Sequence, residues 1–129
     1  MSESPLVLIV EDEYLLRADL ERALIEGGFA TESCSTGEEA IALFMEGNSI
    51  YNALLTDVRL GDGVDGWEVA RRIRQKEPSL PVIYVTGSTA EEWASQGVPS
   101  SILVSKPFAR AQLLAALANL LNIVSPQTT

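Results

Sequence analysis

The sequence predicts a doubly wound α/β fold, a parallel sheet with helices on both faces, and three observations carry that prediction. Four short apolar runs and one weaker one alternate with five stretches of helical spacing. The best of the runs are continuous rather than alternating, the pattern of strands covered on both faces. The 129 residues contain no internal repeat, low-complexity segment or dividing linker, so they form one domain, long enough for a single buried core. Strands alternating with helices imply a parallel sheet joined by right-handed crossovers.

Leu6-Val7-Leu8-Ile9-Val10 is the first strand, and it stops at Glu11-Asp12-Glu13. From Tyr14 the spacing is helical, with Leu16, Leu20, Ala23 and Leu24 on one face and Gly27-Gly28 at the end. A weak strand over about Ala30 to Cys34 follows. Thr36 with Glu39 three residues later is a capping-box pattern, opening a helix with Ala40, Ile41 and Phe44 inward. Ala53-Leu54-Leu55-Thr56-Asp57 is the third strand; it ends in a carboxylate and dissolves into glycines and aspartates. The third helix runs from Trp67 to about Lys76, with Val69, Ala70 and Ile73 inward. Val82-Ile83-Tyr84-Val85 is the fourth strand, stopping at Thr86-Gly87. A short helix is expected from about Thr89 to Gln96, because Glu91 and Glu92 suit a helix N-terminus. Ile102-Leu103-Val104 is the fifth strand, followed by Ser105-Lys106-Pro107. The last helix carries Leu113, Leu114, Leu117, Leu120, Leu121 and Val124 as one stripe, and residues 125–129 form a polar tail. The folded core is expected over about residues 5–124, within a single domain spanning 1–129.

Composition removes whole classes of function. The net charge of −9 argues against nucleic acid or an anionic membrane as a direct partner, since phosphate neutralisation needs Lys and Arg. There is no histidine, which excludes Ser-His-Asp and Cys-His catalysis. Cys34, the one cysteine, has no internal disulfide partner and reads as a small buried hydrophobe. No run reaches the length of a signal sequence core or a membrane span. A reducing cytoplasm is the expected compartment.

Parallel sheets bind ligands outside the carboxyl ends of their strands. Strand one ends at Glu11-Asp12, strand three at Asp57, strand four at Thr86 and strand five at Lys106. Singly, each has an ordinary structural explanation: a helix cap, a strand-end hydroxyl, a solvated charge. Together they place carboxylates, a hydroxyl and an ammonium on one edge. Clustered carboxylates call for a cation, and oxygen-only ligation suits Mg²⁺. The hydroxyl and ammonium beside it leave room for a phosphoryl group, with Asp57 as the carboxylate able to form an acyl phosphate.

Glu11-Asp12, Asp57, Thr86 and Lys106-Pro107-Phe108 together resemble the signature of the receiver domain of two-component response regulators, over about residues 5–124. The resemblance implies a flavodoxin-like (βα)5 fold with strand order 2-1-3-4-5. It implies a phosphorylation-dependent switch rather than a conventional enzyme, one that promotes its own phosphorylation and dephosphorylation. The phosphoryl donor would be a histidine kinase or a histidine phosphotransfer protein, and the signal would pass to a downstream protein target. Asp57 resembles the phosphoacceptor and Asp12 the direct Mg²⁺ ligand, with Glu11 assisting through water and the Arg59 backbone carbonyl as a further ligand. Thr86 would bond the phosphoryl oxygen and Lys106 would pair with its charge. A cis Lys106–Pro107 bond is implied. So is a dimer through the face formed by helix four, strand five and helix five. Because nothing follows the fifth helix, a stand-alone protein is expected.

The sequence departs from the family pattern in three places. Leu103 stands where receivers usually carry Tyr or Phe. The loop Leu60-Gly61-Asp62-Gly63-Val64-Asp65-Gly66 is about one residue longer than usual, and the span from Thr86 to Lys106 is slightly short. The missing aromatic keeps open a second function, a receiver-like binding module that acts without phosphorylation. A haloacid-dehalogenase-type phosphatase is a remoter alternative: it needs an acid two residues after the nucleophile, where this chain has Arg59. Gly61-Asp62-Gly63-Val64-Asp65-Gly66 also matches a dinucleotide-binding pattern, but Asp62 and Asp65 would oppose a pyrophosphate.

Overall fold

Each strand is five residues long and each is followed by a helix or helical turn. In the computed structural model, which describes residues 4–46, 50–87 and 90–122, the elements run β1 (Leu6–Val10), α1 (Tyr14–Glu26), β2 (Ala30–Cys34), α2 (Gly37–Met45), β3 (Ala53–Asp57), α3 (Gly66–Lys76), β4 (Val82–Thr86), α4 (Trp93–Gln96), β5 (Ser101–Ser105) and α5 (Arg110–Leu120). The sheet is parallel throughout, in the order β2-β1-β3-β4-β5. The flavodoxin-like expectation holds. β3 and β4 are buried at every residue, as their unbroken apolar runs require.

Two apolar layers flank the sheet. Leu8, Val10, Leu54, Val82 and Tyr84 pack with Ala40 and Phe44 of α2 and Val69, Ala70 and Ile73 of α3. On the opposite face Val7, Ile9, Leu55, Ile83 and Val85 pack with Leu20 and Leu24 of α1 and Leu113 and Leu117 of α5. Burying each of these Leu, Ile or Val side chains contributes about 1.5–3 kcal/mol. The expected capping box is present: Thr36 Oγ1 accepts from the Glu39 amide at 3.1 Å. Asp65 caps α3 in the same way, accepting from the Glu68 amide at 2.9 Å.

The main difference from expectation lies before β5. The short helix ends at Gln96 as expected, but its first turn is a 3-10 turn over Ala90–Glu92 leading into a four-residue α4, none of whose residues is buried. With Gly97 and Pro99 directly behind it, this segment has neither the length nor the apolar stripe to hold a longer helix. The expected helix start at Thr89, the Val124 end of the last apolar stripe and the 125–129 tail lie outside the described residues. Among the described residues no helix is long and apolar enough to cross a membrane.

Cys34 is buried, and that burial pushes its thiol up to about 12. A thiol held this far from ionisation is a poor nucleophile. Ellman's reagent at pH 8 is expected to modify the native protein negligibly and the denatured protein fully; rapid native reaction would mean that this edge of the sheet opens readily.

Candidate functional site

Parallel pairing brings the strand ends to one edge, with Val10 opposite Thr56, Asp57 opposite Val85 and Thr86 opposite Ser105. Asp57, only 7% exposed, stands at the centre of that edge. One of its oxygens, Oδ1, accepts from the amides of Val58 at 2.6 Å and Arg59 at 3.3 Å. The other, Oδ2, accepts from Lys106 Nζ at 2.9 Å. The two carboxylate oxygens are thus held by different partners, amides on one side and a cation on the other. Lys106 is positioned from β5: its amide donates to the Thr86 carbonyl at 2.8 Å, and the Lys106–Pro107 bond is cis. Thr86 is itself buried at the end of β4.

Glu11 is buried beside Asp57. Its Oε2 accepts from the Glu13 amide at 3.0 Å, and its backbone carbonyl accepts from Arg17 Nη1 at 2.8 Å. Its Oε1 is buried without a hydrogen-bond partner among the described residues. Lys106 Nζ lies 3.8 Å from that oxygen, an ion-pair distance too long for a hydrogen bond. Burial chiefly drives the Glu11 carboxyl up to about 8; Asp57 pushes it in the same direction, against the Glu13 amide and Lys106.

Glu11, Asp12 and Asp57 each offer a carboxylate oxygen, and these lie within 4.8 Å of one another. Every donor is a hard oxygen, and Glu11 brings with it a buried oxygen that has no hydrogen-bond partner among the described residues. A hard divalent cation suits such a donor set, so the residues present fit Mg²⁺. Asp12 and Glu13 are exposed, leaving the cluster open to solvent on that side. Arg59 is tied to the cluster through its amide.

All the strand-end residues singled out by sequence therefore converge on one edge. Others acting there carried no sequence signal. Arg17 braces the Glu11 backbone from the first turn of α1. Gly66 lets α3 start against the Asp57 carbonyl: a Cβ at residue 66 would lie 2.1 Å from that oxygen. Its amide donates to the Val58 carbonyl at 2.7 Å. On the α3 side of the sheet, Leu103 faces Tyr84 in the β4–β5 register and packs into the apolar layer. The Tyr84 ring packs at a tilt of 59° against Trp67, 4.6 Å between centroids, and its hydroxyl accepts from the Val98 amide at 3.1 Å. Trp67 and Arg59 line a polar groove of about 430 Å³ with Gly61, Gly63, Glu92 and Gln96. The sequence puts Tyr84 in the fourth strand and Trp67 at the start of the third helix, with nothing to mark either as lying beside this groove.

Comparison with known proteins agrees with this geometry. Residues 7–118 match the family described as the response regulator receiver domain. The chain is 33% identical over 122 residues to response regulator MprA of Mycobacterium sp. (strain KMS), covering 93% of this chain and 52% of that protein. It is 32% identical over 118 residues to the transcriptional regulatory protein CusR of Escherichia coli (strain K12), covering 90% of this chain and 51% of that one. The chain thus spans about half the length of these curated relatives. Among solved structures, a response regulator receiver protein from Sinorhizobium medicae WSM419 superposes with a TM-score of 0.89 at 40% identity, covering 94% of this chain and 97% of that one. The receiver domain of sensor histidine kinase PA1611 from Pseudomonas aeruginosa PAO1, with a magnesium ion coordinated in its active site cleft, superposes at 0.81 and 26% identity, covering 92% of this chain and 98% of that one. With the strand order, the acidic edge and the family match in agreement, this chain belongs to the response regulator receiver domain family.

Proposed function

We propose that Asp57 accepts a phosphoryl group from the phosphohistidine of a histidine kinase or phosphotransfer protein, and that the resulting aspartyl phosphate changes the affinity of the domain for a downstream protein. The observation that carries this reading is the edge itself: three carboxylates within reach of one cation, one of them with an orphaned buried oxygen, and Lys106 bonded to Asp57. Asp12, Asp57 and the Arg59 carbonyl, with Glu11 through water, would hold Mg²⁺, which supplies charge neutralisation for the phosphoryl oxygens.

The chain's own groups do the rest. The Val58 and Arg59 amides fix the orientation of the Asp57 carboxylate. A carboxylate oxygen of Asp57 attacks the phosphorus in line; the new O–P bond forms as the P–N bond to the donor imidazole breaks, and the imidazole leaves. Lys106, already at the carboxylate, then pairs with the phosphoryl charge, and the Thr86 hydroxyl bonds a phosphoryl oxygen. Release into water returns the carboxylate, so the domain is a switch that promotes its own phosphorylation and dephosphorylation. The downstream partner reads the segment from Thr86 to Gln96, where α4 buries none of its residues. Copies of the domain pair through α4, β5 and α5. Cys34, free and buried, suits the reducing cytoplasm in which such a partner chain would work.

The test is labelling by acetyl phosphate, a small phosphoryl donor, followed by intact mass. One phosphoryl group is expected with Mg²⁺ and none with EDTA. Asp12→Ala should need far more Mg²⁺ for the same labelling, by about ten- to a hundredfold. Labelling indifferent to Mg²⁺ and to Asp12 would remove the metal from this reading.

A further inference from the structure

The long acidic loop after β3 is bound at both ends and at one point between. At its start the Val58 and Arg59 amides bond Asp57; at its end Gly66 bonds the Val58 carbonyl, and Asp65 caps α3. Between residues 60 and 64, the hydrogen bond found among the described residues is the Val64 amide donating to Glu38 Oε2 at 3.0 Å. Glu38 lies in the first turn of α2, 26 residues away in sequence.

The surfaces on either side of that bond are closely fitted. A Cβ on Gly63 would lie 2.5 Å from Glu38 Oε2 and 2.7 Å from Oε1, so the loop backbone sits directly against the carboxylate. A Cβ on Gly37 would lie 2.8 Å from the Val64 carbonyl and 2.6 Å from Val69 Cγ2. Leu60 is buried and Val64 packs on the same apolar layer, which leaves the exposed stretch 61–63 as the free arc. Within that arc Gly61 has φ +74°, and a Cβ there would pass 3.7 Å from Asp12 Oδ2. The loop therefore runs from the Val58 and Arg59 amides on Asp57, past the Asp12 carboxylate, to Glu38.

We propose that Glu38 is a positioning residue for the phosphoryl-accepting site: its carboxylate clasps the Val64 amide and so fixes the path of Arg59–Gly63 past Asp12 and Asp57. Glu38 touches no reacting atom. The acceptor oxygen at the end of the Glu38 side chain gives the Val64 amide a partner on the fixed first turn of α2, which the exposed glycine arc cannot supply by itself. Gly61 and Gly63 leave the arc much to lose in entropy on ordering, so a single clasp has a large effect on how often the productive path is populated. This inference rests on the reading of the acidic edge as a Mg²⁺-dependent phosphoacceptor.

The experiment measures Mg²⁺ affinity by calorimetry and Val64 amide exchange by NMR, in wild type, Glu38→Ala, Glu38→Gln and Gly63→Ala. Wild type should bind Mg²⁺. Glu38→Ala should bind it about tenfold more weakly, the low end of what losing a partner that supports a metal ligand costs, with faster Val64 exchange. Glu38→Gln keeps an oxygen acceptor and should retain both properties nearly intact. Gly63→Ala leaves Glu38 in place but displaces its carboxylate, and should reproduce Glu38→Ala; in the double variant the two losses should not add. Unchanged Mg²⁺ affinity in Glu38→Ala, with Val64 exchange accelerated, overturns the proposal, since the clasp would then exist without positioning the site. Equal losses in Glu38→Ala and Glu38→Gln also overturn it, since charge and not the hydrogen bond would be responsible. Absence of Mg²⁺ binding in wild type would instead sink the reading of the edge itself.

Discussion

Asp57→Asn is expected to reduce acetyl-phosphate labelling to background while leaving the fold intact. The side-chain carbonyl of an asparagine can still accept from the Val58 and Arg59 amides, which hold one side of the group at 2.6 and 3.3 Å. Its NH₂ then faces Lys106 Nζ, donor against donor, where a carboxylate oxygen now sits at 2.9 Å. The ammonium has somewhere to go: Glu11 Oε1, buried and without a hydrogen-bond partner among the described residues, is already 3.8 Å away. The backbone around the site therefore keeps its contacts. The chemistry does not survive, because the amide lone pair is delocalised and no acyl phosphate can form. Intact mass after incubation with acetyl phosphate and Mg²⁺, beside a thermal melt, checks both halves. A full phosphoryl label on a folded Asp57→Asn protein would place the acceptor elsewhere.

Gly66→Ala should be among the most damaging single methyl additions in this protein. The added Cβ would lie 2.1 Å from the Asp57 carbonyl oxygen, 2.9 Å from its carbonyl carbon and 2.9 Å from Val58 Cα, all of them backbone atoms. None can rotate aside as a side chain would. Relief requires lifting the start of α3 from β3, which breaks the 2.7 Å bond from the Gly66 amide to the Val58 carbonyl. It also disturbs Trp67 and Val69, both buried in the layer beneath. A loss of about 3 kcal/mol is expected, which lowers the midpoint of a thermal melt by roughly 10 °C. Gly28→Ala is the control: φ there is +99° but nothing lies within 4 Å, so only the backbone strain remains. Equal effects at the two positions would mean that the close approach at Gly66 relaxes without cost.

Strand ends were readable because continuous apolar runs such as Leu6–Val10 and Val82–Val85 stop abruptly at polar residues, and parallel pairing then brings every end to the same edge. That reasoning located Glu11, Asp12, Asp57, Thr86 and Lys106 without needing side-chain detail. The α2 and α3 caps were written locally, in Thr36 with Glu39 and in Asp65 with Glu68, although only the first was read. What failed to show was contact across distance. Nothing in the spacing of Glu38 and Val64 marks them as neighbours, and Arg17 looks like any solvated charge on α1 until the Glu11 carbonyl is seen beneath it. The helical stretch before β5 ends at Gln96, where the sequence puts its end; what propensity does not tell is that Ala90–Glu92 winds as a 3-10 turn and that α4 has no buried face.

The packed pair of Trp67 and Tyr84 also gives the protein a built-in optical probe. The chain holds two tryptophans, in opposite surroundings: Trp67 is 4% exposed, whereas Trp93 is 37% exposed. Emission from the first should be blue-shifted and resistant to iodide, and emission from the second red-shifted and readily quenched. Trp67 lines the groove that Arg59, Gly61 and Gly63 share, so its colour reports on the loop nearest the acidic edge. Trp93, held by its indole N–H to Ser101 Oγ at 3.0 Å, reports on α4 and the start of β5. Under an iodide background the spectrum of the unlabelled chain therefore separates a change around the buried Trp67 from one around the exposed Trp93, in one cuvette and in real time.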